Sequence, residues 1–160
     1  MDKSLKRKSH SYKAEAGFSV FGSLAQGVDL MEGILEECEK HGIRSGKVTC
    51  IGSLKKVGYV LFETGEDGMP TGYGKEMEIP RIVEMIQCTG FICEDENGEL
   101  DLHLHGIVIE ESGKISAGHF LRGKNPTLIT VEFQIASAGE VRATRTYDED
   151  LGFKVINFSK

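Results

Sequence analysis

Leu100-Asp-Leu-His-Leu-His-Gly-Ile-Val-Ile-Glu-Glu-Ser-Gly-Lys-Ile-Ser-Ala-Gly-His-Phe-Leu-Arg-Gly123 reads as a β-hairpin, and it holds three of the five histidines, His103, His105 and His119. Leu102, Leu104, Ile107, Val108 and Ile109 form an apolar, largely branched run bounded by turn residues, the pattern of a buried strand. Glu111-Ser112-Gly113 suits a three-residue loop, a type I turn closed by a glycine in the left-handed region. That loop pairs Glu110 with Lys114, and the same register sets His105 opposite His119. His103, two residues back along its strand, joins them on one face about 7 Å away. Three imidazoles then point into one spot. A loop one residue longer or shorter would turn His119 to the other face.

The segment before this hairpin extends the sheet. Ile82 to Cys93 reads as a strand running into Asn97-Gly98, a two-residue hairpin signal. That turn pairs Glu96 with Glu99, hence Ile92 with His103 and Gly90 with His105. Gly90 then leaves open space beside the histidines. Cys88 falls on the same face one step on, as a fourth ligand or, in the simpler reading, a small apolar filler.

Further out, Val28 to His41 is an amphipathic helix. Leu30, Met31, Ile34, Leu35 and Cys38 make one apolar face, Asp29 and Glu32 suit its start, and Gly42 supplies the stop. Tyr12 to Phe21, Ser45 to Ser53, Val57 to Glu63, Thr127 to Ala136, Arg142 to Tyr147 and Phe153 to Phe158 read as strands. Gly22 to Gly27 reads as a connection and Thr64 to Gly74 as an exposed loop. The sum is an α+β domain over residues 11–160: a central twisted, largely antiparallel sheet of about seven strands with one main helix. Both faces of the central hairpin are apolar, Leu102, Leu104 and Val108 on one side, Ile107 and Ile109 on the other. One helix covers one face, so self-association is the natural cover for the second.

At 160 residues the chain is one domain with room for a sizeable core. No apolar run approaches a membrane span, and the basic N-terminus lacks the apolar stretch of a signal peptide. Four cysteines, Cys38, Cys50, Cys88 and Cys93, occur without a CxxC pair and read as reduced thiols of a cytoplasmic protein. Residues 1–10 read as a basic, disordered tail. Residues 1–13 carry Lys3, Lys6, Arg7, Lys8 and Lys13 against Asp2, a net of +4, so the whole-chain −6 leaves −10 on the rest. An acidic body repels phosphate backbones, and any DNA contact leans on Lys3, Lys6, Arg7 and Lys8 of the tail.

Three imidazoles with a water make the pattern of an open zinc site, so His103, His105 and His119 are the candidate ligands of a zinc-like divalent ion. No carboxylate completes a catalytic set in this register, because Glu110 falls on the opposite face and Glu111 in the turn. Gly98, His103, His105 and Glu110 mimic the first cupin motif, but the second has no counterpart. P-loop, dinucleotide-binding, GxSxG and HExxH signatures are absent. The three-histidine site, with a water completing it, is also that of a small metalloenzyme acting on an unknown small molecule, the alternative to a site that only binds its metal.

Taken in order, Gly27-Val28-Asp29-Leu30, Gly42 to Val48, Ile51-Gly52-Ser53-Leu54, Thr89-Gly90-Phe91-Ile92, His103-Leu104-His105, Ala117 to Leu121 and Asp148 to Phe153 resemble the PPC domain, conserved in plants and prokaryotes, in its stand-alone prokaryotic form. The resemblance spans most of residues 12–158. It implies a homotrimer built on an antiparallel sheet, and equivalents of His103, His105 and His119 that hold a zinc-like ion. It also implies a DNA-binding or regulatory role, since in plants this domain follows AT-hook motifs. The hook's arginine-glycine-arginine-proline core is absent from this tail. Ala117 and Arg122 replace a glycine and an acidic residue common in the family, at what the resemblance makes the rim of the metal site.

Overall fold

The computed structural model describes Arg7 and residues 9–160. The tail residues Lys3, Lys6 and Lys8 lie outside the described residues. In chain order the elements are β1 (Ser19–Leu24), α1 (Leu30–Lys40), β2 (Gly46–Leu54), β3 (Val57–Val60), β4 (Phe62–Thr64), β5 (Pro70–Tyr73), β6 (Met77–Ile79), β7 (Val83–Glu94), β8 (Leu100–Ile109), β9 (Ile115–Phe120), β10 (Thr127–Ser137), β11 (Arg142–Asp148) and β12 (Phe153–Ser159).

Among the described residues the architecture is α+β, one helix against a sheet of ten strands rather than seven. Eight follow the order β1-β10-β2-β7-β8-β9-β3-β6, and the β11–β12 hairpin joins the C-terminal end of the central strand β7 through a parallel bridge from Thr144 to Glu94. Beyond this bridge all pairings are antiparallel. Of these ten, β6 (Met77–Ile79) is the one with no counterpart among the strands read from the sequence, and the short β4 and β5 form a separate pair. Three or four residues carry too little alternation to register as a strand by themselves.

Helix α1 forms where its apolar face and its cap coincide. Leu30, Met31, Ile34, Leu35 and Cys38 are buried against the sheet, packing with Val48, Leu102, Leu104, Phe133 and Ile135. Asp29 is the N-cap, with Oδ1 accepting from the Met31 and Glu32 amides at 3.0 and 3.2 Å. The same carboxylate accepts from the Gly123 and Asn125 amides at 3.2 and 2.7 Å, tying the helix start to the β9–β10 connection. Arg122, next door, forms a two-pronged pair with Glu32 at 2.8 Å for each prong. Arg122 therefore braces the helix instead of rimming the histidines.

Two turns set the register of the central strands, and they obey one rule. Glu110 N donates to Lys114 O and Gly113 takes φ 82°, the expected three-residue turn. At the other end of β8 the turn is also three residues, Glu96-Asn97-Gly98, with Asp95 N donating to Glu99 O and φ 80° at Gly98. The two-residue turn expected at Asn97-Gly98 needs positive φ at asparagine, and among the described residues only glycines have it. Asp95 Oδ1 accepts from the Asn97 and Glu99 amides at 2.8 and 2.9 Å, which holds the longer form.

The register of β7 on β8 consequently shifts by one residue. Phe91 lies opposite His103, Thr89 opposite His105 and Gly90 opposite Leu104. Gly90 faces the core, where an added Cβ would strike the His103 carbonyl, so it opens no space beside the histidines. Cys88 faces the core as well, paired with Cys50 across β2 and fully buried, and is no fourth ligand. Its thiol is pushed far up by the hydrogen bond with Cys50 and by burial.

Three further expectations change. The first strand starts at Ser19 and runs on through Gly22 to Leu24, within the stretch expected as a connection. The presumed loop from Thr64 to Gly74 belongs to a two-stranded flap, Phe62–Thr64 pairing with Pro70–Tyr73. Arg7, expected as part of a disordered tail, donates to Asn157 Oδ1 at 2.6 Å and to the Ile156 carbonyl at 2.7 Å on β12. All four cysteines are free and buried. Among the described residues no helix is long and apolar enough to cross a membrane.

Candidate metal centre

His103 and His105 stand two apart on β8, and His119 comes from β9 directly opposite His105. The strand pleat does the work of convergence: alternate residues share a face, and antiparallel partners stand side by side. On this outer face a row runs across five strands through Gln134, Thr49, Thr89, His105 and His119. One nitrogen from each of the three histidines lies within 4.8 Å of the others. His103 Nε2 and His105 Nε2 are 2.8 Å apart, so in the ion-free protein one ring donates to the other. A tetrahedral ion with metal–nitrogen bonds of about 2.05 Å holds its ligands about 3.3 Å apart, so a small opening of this pair admits one.

The protonation state favours ligation. Burial, the charge of Arg145 and the neighbouring His105 push His103 down to about 4. Burial, His103, Arg145 and His105 push His119 down to about 3, and burial with Arg145 also lowers His105. The three rings are neutral at pH 7 and offer lone pairs, as a metal requires.

Around the triad the fold places residues that the sequence alone did not assign. Tyr73, from the β4–β5 flap, stacks on His119 with ring centroids 4.8 Å apart. Its hydroxyl stands 3.5 Å from His119 Nδ1, and in the tautomer whose Nδ1–H donates to that oxygen the Nε2 lone pair is free for a metal. Asp101 precedes His103 by two residues and shares its face; it was legible from spacing and overlooked. It is already engaged, accepting at 3.1 Å from Arg145 of β11. Arg145 is largely buried, and its Nε has no hydrogen-bond partner among the described residues. Glu110, on the opposite face as expected, is buried and held between Arg81 at 3.4 Å and Lys114 at 3.8 Å.

A cavity of about 630 Å³ adjoins His103. Phe91 and His103 contribute from the sheet, Phe62 and Tyr73 from the flap, and Phe153 and Phe158 from the β11–β12 hairpin. Phe62 stacks on Tyr73 at 4.9 Å with 7° between the planes, and Phe153 meets Phe62 edge-on at 5.2 Å. Chemically the arrangement is a neutral three-nitrogen donor set at the mouth of an aromatic recess.

Comparisons with known proteins agree with this fold. A candidate DNA-binding protein from Bacteroides thetaiotaomicron is 26% identical, with 94% of this chain and 98% of that one covered at a TM-score of 0.76. A plant- and prokaryote-conserved protein from Pyrococcus horikoshii is 20% identical, covering 95% and 99% at a TM-score of 0.78. A metal-containing protein from Archaeoglobus fulgidus is 20% identical, covering 93% and 98% at a TM-score of 0.73. No curated protein matches the chain in sequence. The family model of the Plants and Prokaryotes Conserved (PCC) domain matches residues 12–139, the span that carries the helix, all three histidines and every strand of the sheet before β11, and the chain belongs to that family.

Proposed function

We propose that this protein is a cytoplasmic, homotrimeric, metal-binding regulatory protein in which His103, His105 and His119 hold one divalent ion, zinc by donor type. The observation that carries the reading is the convergence of three neutral imidazole nitrogens within 4.8 Å on one sheet face. Helix α1 leaves that outer face uncovered, and Ile51, Ile86, Ile107 and Ile115 remain more than two-fifths exposed on β2, β7, β8 and β9. An apolar sheet face of this kind supports self-association.

The decisive measurement is metal content of the purified protein together with light scattering on the same sample. One zinc per chain and a trimer mass are expected, with zinc lost in His103→Ala, His105→Ala and His119→Ala. Full occupancy in all three variants would falsify the site, and a monomer at micromolar concentration would remove the trimer. The DNA-binding part of the reading draws support from the Bacteroides relative, described as a candidate DNA-binding protein. Duplex affinity is expected to fall steeply with salt and to vanish on deleting residues 1–13. No binding even at low salt would end it.

A further inference from the structure

The recess beside His103 has features that a purely structural metal site does not need. Its volume, about 630 Å³, sits in the range of small-molecule pockets, and two of its walls come from the flap and the C-terminal hairpin of the same chain. Those walls are mostly aromatic: the Phe62–Tyr73 stack, Phe153 edge-on to it, and Phe158 against Phe91 at 5.8 Å. Asp150 and Lys154, also in the lining, carry opposite charges. Of the triad, His103 lines this recess, and the electrostatics at that end are one-sided. Three neutral imidazoles leave the whole charge of a divalent ion uncompensated. The carboxylate beside the triad, Asp101, is committed to Arg145, which stands outside the lining and whose buried Nε has no hydrogen-bond partner among the described residues. A site with a cation unbalanced at one end and stacked rings at the other is complementary to an anion with a flat apolar body.

The geometry points to this cavity as the binding site of a small aromatic carboxylate, its carboxylate directed to His103 and the metal side and its ring packed on the aromatic wall that Phe62, Phe91 and Phe153 present. The inference rests on the metal reading, because the ion supplies the excess positive charge. Tyr73 stacks on both Phe62 and His119, so a ring packed on Phe62 bears on the metal site through one side-chain stack.

The test uses the full chain, loaded with zinc and stripped of it, titrated calorimetrically with 2-naphthoate and with the neutral 2-naphthylmethanol. Metal analysis accompanies each sample. The zinc-loaded protein is expected to prefer naphthoate over the alcohol by about tenfold or more, and the stripped protein to lose most of that preference. Phe62→Ala, an exposed flap residue outside the core, is expected to weaken naphthoate about fivefold with zinc content unchanged. A zinc-loaded protein with no preference between the two probes, or one indifferent to Phe62→Ala, overturns the inference while the metal site stands. A protein that takes up no zinc overturns the metal reading and this inference with it. If neither probe binds and Phe62→Ala dissociates the assembly, a second copy of the chain fills the recess and the small-molecule assignment is wrong.

Discussion

The two faces of strand β8 are written in alternate residues of one ten-residue stretch, and they behave as different materials. Leu102, Leu104 and Val108 point to the core, each no more than 1% exposed, under α1. Asp101, His103, His105 and Ile107 point the other way, where Ile107 is 43% exposed. One side is closed by the chain's own helix. The other carries the largely buried Arg145, three neutral imidazoles and a recess, and among the described residues it meets no helix. The contrast teaches that stability and chemistry are separated here by the period of the pleat, with one strand serving both.

The sharpest way to break that contrast is on the core side. Leu104→Ala removes a fully buried side chain and is expected to cost about 2–5 kcal/mol, read as a lower urea midpoint at unchanged slope. A loss under about 1 kcal/mol would mean the two faces are not divided in this way.

Acid offers a second, intermediate effect, confined to the outer face. Histidines held below their unfolded pKa leave the native state with fewer bound protons than the unfolded chain. Their stabilising contribution is complete above about 6.5, the ordinary histidine value, and is lost as pH falls. With His103 near 4 and His119 near 3, metal-free protein should lose stability progressively from about pH 6.5 down to about pH 4. The thermal midpoint measured at several pH values checks this, and His103→Gln should flatten the curve. A midpoint that holds steady to pH 4 would show the imidazoles are not held neutral by their surroundings.

The smallest effect is expected from His105→Ala in metal-free protein at pH 7. His105 is exposed, so stability should stay within about 0.5 kcal/mol while the zinc-loaded protein loses its metal-dependent stabilisation. Equal destabilisation with and without zinc would make His105 a packing residue, and the outer face would then resemble the inner.

How much of this could be seen in the sequence depends on how locally each feature is encoded. The pairing of His105 with His119 was legible because Glu111-Ser112-Gly113 fixes one turn and the register follows. The pairing across β7 was misjudged by one residue because Asn97-Gly98 carries two turn signals at once. Asp95 decides between them, its carboxylate supporting the longer turn, and that single step moved Gly90 and Cys88 from the site to the core. Asp101 needed only the same two-residue spacing that links His103 to His105. Tyr73 and Arg145 were beyond reach. Tyr73 arrives on a flap of three- and four-residue strands, and Arg145 on a hairpin that joins the sheet through one bridge, so neither leaves a local trace.

Asp29 has a bearing on the order in which this chain can be completed. Two of the four amides its carboxylate accepts belong to its own helix, and two belong to residues 94 and 96 positions downstream. During synthesis the helix emerges long before its cap is whole. Its first turn is therefore finished by the connection that follows His119, so the cover of the inner face is locked only after the hairpin that builds the outer one is in place.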